Sequence, residues 1–145
     1  MKKHKIYFAG SITGGRDDAP IYAEIINHLK NHGIVLTEHF GNDITLNWHE
    51  KSLSHEEIHD RDIAWLEEAN IIIAEVTQIS MGVGYELGRM AERNLWLNDN
   101  NKKHILCLHR PNSNKKLSSM IAGCKGIKLE TYDTIEEAKN IIDNF

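Results

Sequence analysis

The sequence around Glu86 is suited to a catalytic carboxylate. Glu86 follows an apolar, β-branched run over Ile71–Thr77, and a glycine-containing segment that begins at Ser80 separates the two. A continuous apolar run bounded by turn residues is typical of a central strand buried on both faces of a parallel sheet. Ligands of open α/β sheets bind beyond the carboxyl ends of such strands, where an ionised Glu86 can act as a nucleophile. A plainer interpretation also fits, in which Glu86 lies in the first turn of a helix and complements its dipole by about 0.3–1 kcal/mol.

The segment between the predicted strand and Glu86 suits an anion. Ser80, Gly82 and Gly84 allow a sharp turn that brings backbone N–H groups close to a ligand. The segment leads into a predicted helix from Val83 to about Asn94, and helix N-termini attract negative charge. We therefore expect an anionic group to bind near this turn.

A second carboxylate, Asp62, lies on a helix with a clear start signal. Ser54 is a predicted N-cap and Glu57 completes a capping box, so we expect a helix from Ser54 to about Glu68. Asp62 falls within the apolar stripe of this helix, which consists of Ile58, Trp65, Leu66 and Ala69. An inward carboxylate is costly unless it is paired or functional. A structural hydrogen bond and a catalytic role both fit, and the presence of Glu86 favours the catalytic role.

The same helix carries His55-Glu56-Glu57-Ile58-His59, which matches the H-E-x-x-H signature of zinc proteases. Two histidines on one helix face can bind zinc, and the glutamate can act as the general base. The motif is short, however, and the chain has nine histidines. Strands alternate with helices on both sides of the motif, which favours a doubly wound sheet over a metalloprotease. We therefore expect no metal site here.

A polar turn, residues 11–16, follows the first predicted strand, Lys5–Gly10. Ser11 and Thr13 offer hydroxyl groups, and Gly14 offers a backbone N–H group, as in a nest for one phosphate. The spacing matches neither the Walker A loop nor the dinucleotide-binding glycine fingerprint. A plain tight turn is the alternative.

Strands and helices alternate along the chain. Further strands are predicted at Ile34–His39, His104–Arg110 and Ile127–Tyr132, and further helices at residues 19–32, 117–123 and 134–145. Five strands and five helices predict an α/β fold with a three-layer, doubly wound, five-stranded parallel sheet. We expect a flavodoxin-like or Rossmann-like strand order, 2-1-3-4-5, in one domain over residues 1–145. The loops after strands 1 and 3 then meet Tyr7 in one crevice.

The second predicted strand ends at His39, which is therefore a candidate to face a ligand. Residues 40–54 show no clear period and are predicted to form a mobile loop or lid. Trp48 within this stretch either stacks on a base or anchors the loop.

Composition excludes several classes of protein. A net charge of −4 gives no basic footprint for a nucleic-acid polymer. The two cysteines, Cys107 and Cys124, form no disulfide framework, which indicates a reducing, cytoplasmic setting. The basic residues at the N-terminus precede only a short apolar run, so we expect neither a signal peptide nor a membrane span.

Taken together, these segments resemble the 2′-deoxynucleoside 5′-monophosphate N-glycosidases of the nucleoside 2-deoxyribosyltransferase superfamily. The matching blocks run in order over nearly the whole chain, at residues 9–16, 36–39, 62–66, 74–78, 82–89, 105–108 and 117–121. The resemblance implies hydrolysis of a deoxynucleotide to its free base and 2-deoxyribose 5-phosphate. It implies no metal and no organic cofactor.

The resemblance also implies a role for individual residues. Glu86 matches the nucleophile that forms a covalent glycosyl-enzyme, Asp62 the acid that helps the base leave, and Tyr7 a tyrosine beside the nucleophile. His39 matches a residue on the base side of the pocket. The remaining substrate-binding positions match the phosphate cradle and its surroundings: Ser11, Ile12, Thr13, Gly14, Ser80, Gly82 and Ser118. Ser118 matches a serine donated by the neighbouring subunit of a homodimer.

Two departures from the family pattern concern substrate preference. Thr13 stands where vertebrate members carry arginine, and the loop over residues 96–103 is longer. The alternatives that remain open are a nucleoside 2-deoxyribosyltransferase, an N-glycosidase for ribonucleotides such as cytidine monophosphate, and a non-catalytic nucleotide-binding sensor domain.

Overall fold

The computed structural model describes residues 3–12, 15–41 and 50–145. The predictions for Thr13, Gly14, Trp48 and most of the expected lid therefore lie outside the described residues. Within the described ranges, no helix combines the length and the apolar character needed to cross a membrane.

A five-stranded parallel sheet forms the centre of the fold. Its strands are β1 (His4–Ala9), β2 (Gly33–Val35), β3 (Ile71–Glu75), β4 (His104–His109) and β5 (Lys128–Thr131). Their spatial order is β2-β1-β3-β4-β5. The register pairs Ala9 with Ala74, so β1 and β3 end side by side. The α/β class and the strand order predicted from the sequence are confirmed.

Helices cover both faces of the sheet. They are α1 (Ala19–Leu29), α2 (His55–Glu68), α3 (Met81–Asn94), α4 (Ser119–Ala122) and α5 (Ile135–Asp143). One core joins α1 and α5 to the sheet through residues such as Phe8, Ile25 and Ile142. The other core joins α2 and α3 through residues such as Leu66, Ile72 and Leu87. Alternate residues of β1 and β3 point to opposite faces, so both strands need apolar side chains throughout.

Local sequence signals place two helix starts. Ser54 and Thr134 cap α2 and α5, and both form capping boxes, with Glu57 and Glu137 respectively. Each box satisfies backbone N–H groups that have no partner inside the helix. The predicted capping box at Ser54 is therefore confirmed.

Two predicted boundaries are wrong. The second strand ends at Val35, and Glu38–Gly41 form a 3₁₀ helix, so His39 does not end a strand. The first helix ends at Leu29 rather than at residue 32, and β2 begins at Gly33, where a Cβ atom would lie 2.2 Å from the backbone oxygen of His4 in the neighbouring strand.

The start of α3 also differs from the prediction. Ser80 is the N-cap, so Gly82 and Gly84 lie inside the helix rather than in a turn before it. Glu86 consequently lies in the second turn, and the first turn holds no acidic residue. Since the dipole acts mainly within the first turn, the plain dipole interpretation of Glu86 loses its basis.

Candidate active site

A cavity of about 160 Å³ opens at the carboxyl ends of β1 and β3. Open parallel sheets bind ligands at this position, where the strand order reverses. The cavity is lined from the loop after β1, the segment before α2, α2 itself and the start of α3. Its lining residues are Ala9, Gly10, Ile12, Phe40, Glu50, Ile58, Asp62, Ser80, Gly82, Val83 and Glu86.

Glu86 enters this cavity from α3 and meets Tyr7 of β1. The Tyr7 hydroxyl donates a hydrogen bond to Glu86 Oε1 at 3.1 Å. Burial, and then the nearby charges of Glu86 and Asp62, raise the pKa of Tyr7 well above its usual value. Tyr7 therefore stays protonated and holds the Glu86 carboxyl in a fixed orientation.

Asp62 reaches the same cavity from the middle of α2. The guanidinium of Arg61 donates to Asp62 Oδ1 at 2.9 Å and to Glu50 Oε1 at 2.8 Å. It also lies over the ring of Trp65, 5.0 Å from the ring centre. Asp62 is mostly buried, with 14% of its side chain exposed. Arg61 thus offsets part of the cost of bringing two carboxylates to one side of the cavity.

The electrostatics of the two carboxyl groups are coupled. Burial and then the charge of Asp62 raise the pKa of Glu86 to about 8, although the Tyr7 hydrogen bond and Arg61 act in the opposite direction. Burial also raises the pKa of Asp62, which Arg61 opposes. Because the two negative charges repel each other in a dry site, the pair favours a state in which one carboxyl group keeps its proton.

Backbone and hydroxyl donors gather at the start of α3. The Ser80 hydroxyl oxygen accepts a hydrogen bond from the Val83 N–H group at 3.3 Å, which leaves its own O–H proton for another acceptor. The N–H groups of Met81 and Gly82 have no intrahelical partner because they lie in the first turn. The start of α3 therefore offers three donors to an anion in the cavity.

The loop after β1 is held close to the cavity by Tyr22. Its ring packs against Gly10, where a Cβ atom would approach within 2.8 Å, and its hydroxyl accepts the Ser11 N–H group at 3.1 Å. Gly15 has a φ of +131°, which only glycine adopts without strain. The Ser11 hydroxyl is buried and has no hydrogen-bond partner among residues 3–12, 15–41 and 50–145. The contacts of Tyr22 therefore hold Gly10 and Ser11 in place, and Gly10 lines the cavity.

Two expected site residues, His39 and Ser118, do not line this cavity in the single chain. His39 is buried in the 3₁₀ helix, where its ring contacts Phe40 at 4.3 Å and Trp65 at 5.4 Å between centres. It is therefore packed behind the cavity rather than lining it. Ser118 caps α4 and lines a separate groove of about 320 Å³, which adjoins the cavity through Ser80 and Val83.

Neither histidine of the H-E-x-x-H segment lines the cavity. His59 contacts Asp60 through Nδ1 and the Tyr85 hydroxyl through Nε2, both at 2.9 Å. His55 is exposed on the first turn of α2. Both ring nitrogens of His59 are thus engaged by neighbouring side chains.

Three contributors to the site were missed by sequence reasoning. Glu50 lies in the stretch without periodicity, which gives no signal for its position. Arg61 neighbours Asp62 in the sequence, and a charged residue beside an inward carboxylate is a signal that it forms the ion pair. The sequence predicts only that Tyr22 is a core residue. The structure shows that its hydroxyl also accepts a hydrogen bond from Ser11 and so holds the loop after β1.

With this geometry in place, comparison with known proteins identifies the family. The family model for nucleoside 2-deoxyribosyltransferase matches residues 6–120. The chain therefore belongs to the nucleoside 2-deoxyribosyltransferase family, as the resemblance of its motifs predicts.

Individual relatives are similar to this chain over nearly its whole length. The 5-hydroxymethyl-dUMP N-hydrolase of Danio rerio is 44% identical over 143 residues, covering 97% of this chain and 94% of its own. The human 5-hydroxymethyl-dUMP N-hydrolase is 41% identical over 143 residues, covering 97% and 78%. Among solved structures, the CMP N-glycosidase BcmB of Clostridium botulinum superposes with a TM-score of 0.67 at 16% identity, covering 97% and 98%. The last similarity supports the fold alone.

Proposed function

We propose that this protein hydrolyses the N-glycosidic bond of 2′-deoxynucleoside 5′-monophosphates. The products are the free base and 2-deoxyribose 5-phosphate. The observation that carries the proposal is that Glu86 and Asp62, from two different helices, line one cavity while Tyr7 holds Glu86 by a hydrogen bond. Relatives named as N-hydrolases of a deoxynucleoside monophosphate support the choice of substrate class.

The chemistry proceeds in two displacements at the anomeric carbon. A Glu86 carboxylate oxygen attacks this carbon as its bond to the base breaks, and the base leaves with a proton from Asp62. Water then attacks the glycosyl ester, gives a proton to the Asp62 carboxylate, and releases the sugar phosphate and the Glu86 carboxylate. Both transition states carry positive charge on the sugar, which an adjacent carboxylate stabilises.

A single proton on the carboxyl pair fits this sequence. The first displacement needs Glu86 ionised and Asp62 protonated, so the reaction requires one proton on the pair. The pKa of about 8 favours this proton on Glu86, and the reaction therefore requires it to move to Asp62. Positive charge developing on the sugar lowers the pKa of Glu86 and so favours transfer of the proton to Asp62.

The donors at the start of α3 are suited to the 5′-phosphate. Ser80 and Gly82 line the cavity, Met81 lies between them at the start of α3, and the buried Ser11 hydroxyl belongs to the loop after β1. We include Thr13 and Gly14 in the phosphate cradle as sequence predictions. A dianion bound here is stabilised by hydrogen bonds and by the helix dipole.

The first experiment is base release from a panel of deoxynucleotides, ribonucleotides and their nucleosides. Each substrate is incubated with and without chelator, with wild-type protein and with Glu86→Gln, and the products are separated by chromatography. We expect release from deoxynucleoside monophosphates, no effect of chelator and no release by the variant.

Other results of this experiment would support one of the alternative functions. Release from ribonucleotides alone would indicate a ribonucleotide N-glycosidase, and exchange of one base for another would indicate a transferase. Tight nucleotide binding without turnover would indicate a sensor domain and would contradict the proposal.

We also propose that the protein acts as a homodimer, through a face centred on α3 and α4. Large apolar side chains are exposed there, notably Met81 at 91% and Met120 at 82%. A groove between the two helices runs along Gly84, Gly88 and Ala91, and a Cβ atom on either glycine would meet nothing within 4 Å. An exposed apolar patch with room for close approach is typical of an interface. Ser80 and Ser118 both line a groove at this face, so we expect a dimer formed here to bring Ser118 of one copy toward the donors at Ser80 of the other.

A mixing experiment separates this arrangement from action of Ser118 within its own chain. Ser118→Asp places a negative charge near the phosphate and Glu86→Gln removes the nucleophile, so each variant alone is expected to be inactive. If Ser118 acts across the interface, reassembled mixtures regain about one quarter of wild-type activity, since half of the dimers are mixed and each has one intact site.

If Ser118 acts within its own chain, mixing restores nothing. In a parallel assay, Ser118→Ala is expected to weaken binding of nucleoside monophosphates more than binding of nucleosides. Equal losses for both ligands would contradict a phosphate role.

We further propose a cytoplasmic location. Cys107 and Cys124 are both free thiols in the structure, which suits a reducing compartment. Detection of the protein in a cytosolic fraction by immunoblotting would test this.

A further inference from the structure

Three metal-binding side chains converge at the end of the sheet opposite the candidate active site. His28 lies in the last turn of α1, His32 follows one turn later, and Asp143 ends α5. The Nε2 atoms of His28 and His32 lie 2.6 and 2.7 Å from the same oxygen, Asp143 Oδ1. The three donor atoms all lie within 4.8 Å of one another.

We propose that His28, His32 and Asp143 form a binding site for one divalent transition-metal ion of the zinc type. Two imidazole nitrogens and one carboxylate oxygen are a donor set that zinc prefers, whereas magnesium and calcium prefer oxygen alone. Three protein ligands leave a fourth tetrahedral position for water. Among the described residues, this is the one such group of three donors.

The arrangement fits a metal better than a simple ion pair. Both histidines present the same ring nitrogen to one point, although an isolated carboxylate needs only one of them. The turn after α1, in which the His32 N–H group donates to the Leu29 carbonyl oxygen, brings the His32 ring to 5.5 Å from the His28 ring between centres. Exposed ion pairs give only about 0.2–1 kcal/mol, so the convergence of two imidazoles on one oxygen is not explained by charge pairing alone.

The surroundings allow an ion to enter. His32 and Asp143 also line a cavity of about 240 Å³, whose wall includes His4, His104 and Phe145. The side chains of His32 and Asp143 are 36% and 44% exposed, so the site opens to solvent. A small opening of the present contacts lets an ion replace the shared hydrogen bonds.

A bound ion would clamp α5 onto α1. The two helices already share a core that includes Leu29 and Ile142, and Lys139 lies 3.4 Å from Glu24 across their junction. The site is absent from the unfolded chain, so metal that binds only the folded state stabilises it. The inferred role is structural, and it does not depend on the function proposed for the other end of the sheet.

The test uses untagged, metal-stripped protein and Zn²⁺ alone. Equilibrium dialysis is expected to show one zinc ion per chain, and Tm is expected to rise by about 5–10 °C near one hundred times Kd. Mg²⁺ at the same concentration is expected to leave Tm unchanged. Binding is expected to weaken in acid, because protons compete for the imidazole nitrogens.

Variants locate the ion. His28→Ala and Asp143→Asn are expected to abolish both the bound zinc and the Tm shift. Asp143→Asn keeps the size of the side chain, so it remains informative if His28→Ala folds poorly, and circular dichroism of the metal-free proteins checks this. The matched control is His55→Ala, which removes an exposed histidine from α2 and is expected to bind zinc like the wild type.

Three results would overturn the inference. One is the absence of bound zinc at roughly 1 mM, where a site of millimolar Kd is half filled. Another is unchanged binding in folded Asp143→Asn. The third is loss of binding in His55→Ala, which would move the ion to the H-E-x-x-H segment.

Discussion

Glu75 and Glu86 are two largely buried glutamates near the carboxyl end of β3, and their surroundings differ. Burial raises the pKa of Glu75 to about 7 and that of Glu86 to about 8. Glu86 lines an open cavity and is held there by one hydrogen bond from Tyr7. Glu75 does not line that cavity and is enclosed by the protein.

Glu75 is surrounded by a network of hydrogen bonds and one ion pair. The Thr77 hydroxyl and N–H group both donate to Glu75 Oε1, and the Thr77 hydroxyl oxygen accepts the Arg110 N–H group at 2.9 Å. The Arg110 guanidinium pairs with Asp18 at 2.5 Å, at the start of α1. This network ties the ends of β3 and β4 to α1.

The comparison shows that a raised pKa by itself marks burial. Both glutamates are in a setting of low dielectric constant, and both shifts have desolvation as the largest cause. Each glutamate also has a second carboxylate nearby that raises its pKa, Asp18 for Glu75 and Asp62 for Glu86. Only Glu86 lines open volume for a substrate, so access separates the candidate catalytic carboxylate from the structural one.

The largest effect is expected from Glu86→Gln. Loss of the nucleophile is expected to lower kcat for base release by at least about 10³-fold, on the order of 4 kcal/mol in the barrier. Glutamine still accepts the hydrogen bond from Tyr7, so circular dichroism should show an intact fold. Retention of wild-type kcat in a folded variant would remove Glu86 from the chemistry.

Asp62→Asn is expected to lower kcat by about 10²–10³-fold, since the leaving base loses its proton donor. The variant also removes the charge that raises the pKa of Glu86, so this pKa should fall. An NMR titration of labelled glutamate carboxyl carbons measures the change. An unchanged Glu86 titration would show that the two groups are not coupled.

Thr77→Val disturbs the network around Glu75 and leaves the cavity intact. It removes hydrogen bonds to two buried groups, so we expect unfolding to become easier by about 1–3 kcal/mol. We expect kcat to stay within about threefold of the wild type. Paired denaturation and kinetic measurements test this, and a large loss of kcat with little loss of stability would contradict the contrast between the two glutamates.

The smallest expected effect is the loss of pH dependence of stability between pH 7 and 8 in Glu86→Gln. The folded pKa values of Glu75 and Glu86 lie above the usual value of 4.5, so the folded state holds more protons between that pH and about 7 or 8. Unfolding free energy should therefore fall as pH rises through this window, by at most about 1.4 kcal/mol per pH unit for each group. Glu86→Gln should flatten the part of the slope that lies between pH 7 and 8, and an unchanged slope there would show that Glu86 is not buried in its acidic form.

Local signals predicted a large part of the molecule. The apolar run at β3, the capping box at Ser54 and the alternation of strands with helices follow from short-range sequence, because periodicity and caps act within a few residues. The same signals were less reliable at element ends. Ser80 capped α3 earlier than expected, since a helix start depends on one hydroxyl contact rather than on the glycines that follow.

The sequence by itself determined the α/β class, the strand order and the inward position of Asp62, because these depend on hydrophobic pattern and on the rules of parallel sheets. Only the tertiary structure decided which groups meet. It brought Tyr7 to Glu86, enclosed Glu75, placed His39 behind the cavity and joined His28 and His32 to Asp143. These contacts join residues distant in the chain, and their geometry arises from the packing of whole elements, which no local pattern contains.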